Sequence, residues 1–429
     1  MFVRKSEYFA MVFCSEKRIG ESMKLITVKE TAEKWNISER RVQKLCNEGR
    51  IKGTVRFGRA WMIPSTAVLP TQKQNEEEPS LPMPRKTPFL DMTNVYNEKG
   101  KADECGELLI NNHEAYLLYQ TQIAYRRGEI DKVYDRARYF LRAHSGFYAI
   151  LGGGMLLAQC AIWRGDLSLW NEAKKHIFEA PCSTQTERDI ISLSLAIINS
   201  TIYDSKDYPE WFKIGNFELL PPDSHPAAKV FYVKYLYMTA YAIASKEFEL
   251  EGLKGLSLMR LLPNSIEPLI TQAVVDKTII PEIYLRLSCA VAYFNSGLKQ
   301  SAIVHLDKAI SLALADGLYG ILTEYVRHFN GLLEERVQLL DPTANIIIAE
   351  FNQRYKLGWA KLSSAVRNKF ILTNLSPREH EIAKLTVFGF SVKEISSMLY
   401  VSESTVKQAI VRIMNKAGID NKKDFVLII

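Results

Sequence analysis

Cysteine is sparse and scattered. The six in 429 residues (Cys14, Cys46, Cys105, Cys160, Cys182, Cys289) form no C-x-x-C pair, which argues against a disulfide framework or a thiolate zinc site and suits a reducing compartment. No G-x-x-x-x-G-K-[ST] run occurs, so a P-loop NTPase is excluded. Neither G-x-S-x-G nor a cysteine–histidine arrangement suited to hydrolysis is present, and the seven histidines (113, 144, 176, 225, 305, 328 and 380) show no H-x-x-x-H spacing. Enzyme chemistry, a metal and a cofactor are therefore not expected. Long apolar runs are also lacking. The longest charge-free stretch, Phe147–Trp163, carries Gly152-Gly153-Gly154 and Gln159 and reads as a buried helix rather than a membrane span. The apolar patch Phe9–Cys14 is too short for a signal peptide, so a cytoplasmic location is expected.

What is present is unevenly distributed charge. The net charge is +7, yet residues 24–70 hold ten Lys/Arg against four Asp/Glu, residues 371–429 hold eight against six, and the middle is slightly acidic. Basic modules at both ends of a neutral body fit a polyanionic partner. Five pieces follow from composition. Residues 1–22 read as a leader outside the fold, Arg18–Ser22 resembling a translated ribosome-binding site, with Met23 as the expected start; native protein beginning earlier would overturn this. Residues 24–69 form a compact basic module. Residues 70–103, with Pro70, Glu76-Glu77-Glu78, Pro79, Pro82, Pro84 and Pro88, read as a semi-rigid linker. Residues 104–368 are helical throughout, and 371–429 form the last module.

The expected fold class is mainly α. In the middle, a helix ends at Arg126-Arg127-Gly128 and the next carries Ala137. The arrangement returns at Arg164-Gly165-Asp166 with Ala173, a step of 37 residues, and again at Asn295-Ser296-Gly297 with Ala302 and Ala309. Small-residue turns followed by alanine where helices must approach closely build helical-hairpin repeats, and these resemble degenerate tetratricopeptide repeats. Within them Gly152-Gly153-Gly154 is read as close packing rather than a phosphate cradle. The tyrosines 232, 235, 237 and 241 are read as packing rather than an aromatic ligand pocket.

At the C-terminus, Ser376-Pro377-Arg378-Glu379 is a capping box with proline in the first turn, and Ser391-Val392-Lys393-Glu394 is a second box. A turn at Tyr400-Val401 leads to Ser402, which caps a third helix running to about Ala417. Two short helices, a tight turn and a longer helix are a helix-turn-helix, whose final member enters the major groove. On that helix Val406, Ile410, Ile413 and Ala417 face inward. Ser402, Ser404, Thr405, Lys407, Gln408, Val411, Arg412 and Asn415 face outward. Lys407 and Gln408 are placed for base edges, Arg412 and Lys393 for phosphates, and Ser402–Thr405 for phosphate at a helix N-terminus.

The run LSPREHEIAKLTVFGFSVKEISSMLYVSESTVKQAIVRIMNKAGI resembles the LuxR/FixJ DNA-binding domain nearly end to end. One departure is Gln408-Ala409, where that family usually has Asn-His; it is read as altering a surface beside the groove. The resemblance implies a four-helix domain whose last helix, here Asn421–Leu427, mediates dimerisation. It also implies double-stranded DNA and, for an activator, RNA polymerase as partners. The larger members of the family, such as those like the maltose activator, join an NTPase to helical repeats and this domain; here the NTPase is missing.

At the N-terminus, Thr27-Val28-Lys29-Glu30 is another capping box, Ser38 caps a second helix, and residues Ile51–Ile63 alternate as a hairpin turning at Gly58-Arg59. This winged helix-turn-helix resembles the excisionase/MerR-like module. Ser38, Arg40, Arg41, Lys44, Arg56 and Arg59 are its candidate DNA contacts. The whole reads as a transcription regulator that acts as a homodimer on DNA and takes a small-molecule or protein effector on its repeats. The competing reading is an interaction scaffold whose modules dock proteins.

Overall fold

Thr27 begins the folded chain's first helix as its capping box demands: Glu30 N donates to Thr27 Oγ1 at 3.2 Å and Thr27 N donates to Glu30 Oε2 at 2.7 Å. This helix, α1 (Val28–Trp35), ends on Asn36 at φ 52°, and α2 (Glu39–Asn47) follows. Three strands complete the module: β1 (Leu25–Thr27), β2 (Val55–Phe57) and β3 (Ala60–Pro64). The expected hairpin is present as β2 and β3, paired antiparallel with Arg56 opposite Trp61. The sequence reading missed β1, which pairs antiparallel with the other edge of β3, Ile26 opposite Ile63. The core joins Ala32, Val42, Leu45, Cys46, Ile51 and Ile63, with Trp35 and Trp61 packed against it.

The computed structural model describes residues 25–47, 51, 54–57, 60–67, 69, 85–143, 145–204, 208–245, 255–367, 375–417, 419, 421–422 and 425. These fall into two compact units, one within residues 1–83 and one within 84–429. The leader, the turn at Gly58-Arg59 and most of the expected dimerisation helix lie outside the described residues.

The second unit starts earlier than composition suggests. Phe89, Leu90, Met92, Val95 and Tyr96 are all buried, and a 3-10 turn at Leu90–Met92 packs on the helices that follow. The side chain of Gln122 donates to Pro88 O at 2.5 Å and accepts from Asp91 N at 3.1 Å. Asp316 accepts from the Tyr96 hydroxyl, from Gly100 N and from Ala102 N. Residues 85–103 are therefore part of the helical body, a correction to the linker boundary: their apolar side chains outweigh their prolines.

After α3 (Ala102–Gly106) come paired helices, α4 (His113–Arg127) with α5 (Ile130–Arg142) and α6 (Phe147–Arg164) with α7 (Leu167–Phe178). The turns at Gly128 and Gly165 adopt φ 88° and 61°, and Ala137 and Ala173 are fully buried at the close approaches. The three consecutive glycines of α6 serve packing, as expected. A Cβ on Gly152, Gly153 or Gly154 would sit 2.6 Å from Leu118, 2.9 Å from Phe140 and 2.8 Å from Ile177, respectively. The helix α6 is long and apolar enough to cross a membrane, but most of it is buried among its neighbours.

The chain continues through α8 (Gln185–Thr201), α9 (Glu210–Lys213), α10 (His225–Ser245), α11 (Gly255–Val275), α12 (Ile279–Asn295), α13 (Lys299–Leu314), α14 (Tyr319–Tyr325) and α15 (Leu332–Leu340) to α16 (Pro342–Arg367). Tyr232 and Tyr235 pack against Tyr208, Phe212 and Phe217, so for these two the packing reading holds. Helix α16 crosses back over the first hairpins: Trp163 meets Phe351 and Tyr355 edge-on, and Trp359 Nε1 donates to Thr201 O at 2.8 Å.

Through the interior runs a chain of buried polar groups. Arg126 Nε donates to Asp91 Oδ2 at 2.7 Å and its NH1 to the Tyr284 hydroxyl at 2.7 Å. The Tyr284 hydroxyl donates to Glu324, 3.1 Å from each carboxylate oxygen, and Tyr125 donates to Glu324 Oε1 at 2.8 Å. Lys234 Nζ lies 3.6 Å from Glu324 Oε2. Buried charges persist only when paired and hydrogen-bonded.

Candidate nucleic-acid interface

The last module is set by three caps. Ser376 Oγ accepts from Glu379 N at 3.2 Å while Glu379 Oε2 accepts from Ser376 N at 2.8 Å, opening α17 (Pro377–Val387). Ser391 and Glu394 repeat the pattern at 3.2 and 2.8 Å and open α18 (Val392–Leu399). Tyr400, at φ 53° and 95% exposed, makes the turn with Val401. Ser402 Oγ then accepts from Thr405 N at 3.1 Å and starts α19 (Glu403–Ala417).

Packing locks one side of α19 and leaves the other bare. Val406, Ile410 and Ile413 are buried, as are Ile382, Leu385 and Ile395 of the same module. Ser402, Ser404, Thr405, Lys407, Gln408, Val411, Arg412 and Asn415 are all exposed, as is Lys393 on α18. Position 409 is a correction. Ala409 is 2% exposed, because it lies three residues from Val406 and four from Ile413 on the inward face. At position 409 the departure from Asn-His therefore lies in the core, while Gln408 stays on the outer surface.

Glu379 links this bare face to the module's first helix. Its carboxylate, besides closing the cap, takes Lys416 Nζ at 2.7 Å and stands 3.9 Å from Arg412 Nε. Lys416 was not among the expected contacts; its place four residues after Arg412 was the available signal.

In the N-terminal module Ser38, Arg40, Arg41 and Lys44 are exposed along α2, opposite the buried Val42 and Leu45. Arg56 is exposed on the wing, its guanidinium 5.5 Å from the Trp61 ring centroid, and Trp61 Nε1 donates to Asn47 Oδ1 at 3.1 Å. Arg59 lies outside the described residues.

Helix α17 docks on the helical body through a buried cation. Lys384 is 4% exposed and donates to His328 O at 3.1 Å. Burial, opposed by the pull of Glu381 and joined by a weaker repulsion from Arg327, brings its pKa down to about 7 from 10.5. Between these values the unfolded chain binds more protons than the folded one, so stability rises with pH across that window and the penalty is complete below about 7. Lys384→Met is therefore expected to raise the melting temperature at pH 6, by the equivalent of a few kcal/mol at most, and to lose this advantage near pH 10. Equal melting temperatures for the two proteins at pH 6 would count against it.

Spacing along the chain did not reveal one cluster. Glu267, Cys289 and His305, on three successive helices, bring potential ligand atoms within 4.8 Å of one another. Glu267 already accepts from the Tyr293 hydroxyl at 2.8 Å and lies 3.4 Å from His305 Nε2. Burial pushes the Cys289 thiol up to about 12, which keeps it protonated and a poor ligand as it stands.

Compared with protein families, residues 373–429 match the one described as bacterial regulatory proteins, luxR family, and residues 25–69 match a helix-turn-helix domain. No curated protein and no solved structure matches the chain. Capped helices, a three-residue turn and an unencumbered third helix coincide with the first match, and two helices with a three-stranded wing coincide with the second. The chain thus carries a LuxR-family helix-turn-helix domain at its C-terminus and an excisionase-like one at its N-terminus, the domain pair of a DNA-binding transcription regulator.

Proposed function

We propose that α19 is the recognition helix of a sequence-specific regulator and that the helical body takes the signal that controls it. The observation that carries this reading is the division of α19 into a locked inner face and an outer face whose side chains are exposed at every expected contact position. In the major groove, Lys407 and Gln408 meet base edges with Val411 and Asn415 beside them, while Lys393, Arg412 and the helix start at Ser402, Ser404 and Thr405 hold phosphates. The α2 surface with Arg40, Arg41 and Lys44, and the wing with Arg56, form a second reader. Two readers on one chain suit two half-sites of different sequence or a DNA loop. On DNA the protein acts as a homodimer in the cytoplasm, and as an activator it contacts RNA polymerase.

The test is duplex binding by the full chain, followed by fluorescence anisotropy from low to physiological salt. A steep decline with salt is expected, and removing residues 24–69 should shorten the protected site. Unchanged affinity and site length after that deletion would leave the N-terminal module as a protein dock. Indifference to every duplex at low ionic strength would overturn the regulator reading.

A further inference from the structure

The helical body holds a partly open cavity of about 40 Å³ that the DNA-binding surfaces do not use. Its walls come from α8, α10, α11, α12, α14, α16 and the 3-10 turn Val326–His328. They carry two cations and one carboxylate: Lys234, Arg327 and Glu324. Glu324 is committed, since its oxygens already serve Tyr125, Tyr284 and Lys234. Lys234 is held over the faces of Phe231 and Tyr284 at 4.9 and 4.8 Å. Arg327 lies flat on Trp359, 3.5 Å from the ring centroid, with Tyr203 at 4.9 Å. Its polar contact among the described residues is a nitrogen, with Nε donating to His328 Nε2 at 3.3 Å. Among the described residues no carboxylate pairs with it.

A half-buried guanidinium without an anion is costly, and its free donors form a planar fork matched to a carboxylate. The surplus of one positive charge calls for a monoanion. The volume, at about 10–15 Å³ of such space per water, holds about three waters, which a carboxylate and its first carbon atoms would displace. Tyr203, Tyr237, Tyr325 and Tyr355 supply the flanking walls. Of the four tyrosines read as packing, Tyr237 is thus one that lines a cavity, and the Tyr241 side chain lies outside the described residues.

The same turn reaches the C-terminal domain. The His328 ring lines the cavity, and its carbonyl accepts the Lys384 hydrogen bond from α17. Burial, then Arg327 and Lys384, keeps this imidazole neutral, and its Nε2 lies 3.2 Å from the Tyr203 hydroxyl as well as 3.3 Å from Arg327 Nε.

We propose that this cavity receives the carboxylate of a small organic acid, bound by Arg327 and Lys234, and that the turn Val326–His328 relays its occupancy to α17 through Lys384. The relay rests on the reading that the body controls DNA binding; the binding site does not. A carboxylate drawing on the Arg327 fork displaces the turn that anchors α17, and differential affinity for the two arrangements couples the sites in both directions.

The test is a titration of the full chain with acetate, propionate, pyruvate, succinate and benzoate at constant ionic strength. It is followed by tryptophan fluorescence, since Arg327 lies on Trp359, and by calorimetry. At least one acid should bind saturably, phosphate should not compete, and Arg327→Met should weaken binding by about tenfold or more. No saturable binding by any of the acids, or equal binding by Arg327→Met, would overturn the site. Lys384→Met should bind the acid normally while its duplex affinity no longer responds to it. A wild-type duplex affinity indifferent to a bound acid overturns the relay alone, and failure of duplex binding with acid binding intact overturns the regulator reading alone.

Discussion

Reversing the charge at Lys407 is expected to cut duplex affinity by about a hundredfold at low salt while leaving the fold untouched. The side chain is exposed on the outer face of α19, beside Thr405 and Gln408. A base-edge contact from such a position is worth about 1–3 kcal/mol. Lys407→Glu removes that contact and places a carboxylate among phosphates, so both losses act together; about 1.4 kcal/mol corresponds to each tenfold. Because no packing depends on Lys407, the thermal unfolding midpoint should match that of the parent. Anisotropy measurements showing undiminished binding would exclude α19 as the inserted helix. Gln408→Ala offers a finer probe, expected to relax discrimination at one base pair more than it weakens binding overall.

The second large effect belongs to the interior. Glu324→Gln is expected to destabilise the helical body by about 3–5 kcal/mol, the range for a buried charge left without its partner. Glu324 is 7% exposed and is the carboxylate facing Lys234. Burial already lowers the Lys234 pKa, and Glu324 acts to raise it. The amide keeps the volume and hydrogen bonds to Tyr125 and Tyr284 but returns no charge. Urea unfolding followed by far-ultraviolet dichroism reads the loss. A midpoint close to the parent's would count against this pairing; if Lys234 sheds its proton instead, the variant's stability would rise with pH from 6 to 9, because the unfolded chain then binds one more proton than the folded one.

What the sequence disclosed, and what it withheld, follows from how far apart the interacting residues lie. The caps at Thr27, Ser376, Ser391 and Ser402 each involve residues at most three positions apart, and their backbone consequences are local. The small-residue hairpin turns were legible for the same reason. By contrast, β1 is three residues long and owes its existence to β3, thirty-odd positions away. The segment 85–103 was hidden by its prolines, although Phe89, Leu90, Met92, Val95 and Tyr96 were there to be counted. The interior network could not be read at all: Arg126 meets Asp91 across 35 positions, Tyr284 across 158, and Tyr125 meets Glu324 across 199. Ala409 was misplaced by analogy with a polar residue, whereas the helical period from Val406 to Ile413 places it inside. Candidate contacts on α19 were readable because an amphipathic helix announces both of its faces; the cavity was not, since no periodicity brings residues 234, 324 and 327 together.

The strap formed by residues 85–103 has a practical consequence for dissecting this protein. A recombinant helical body begun at residue 104, where the composition changes, would strip Arg126 of Asp91 and uncover the apolar trough filled by Phe89, Leu90 and Met92. Such a fragment would carry a naked charge beside greasy surface, a recipe for clumping during purification. Begun at residue 84 instead, it keeps its own plug.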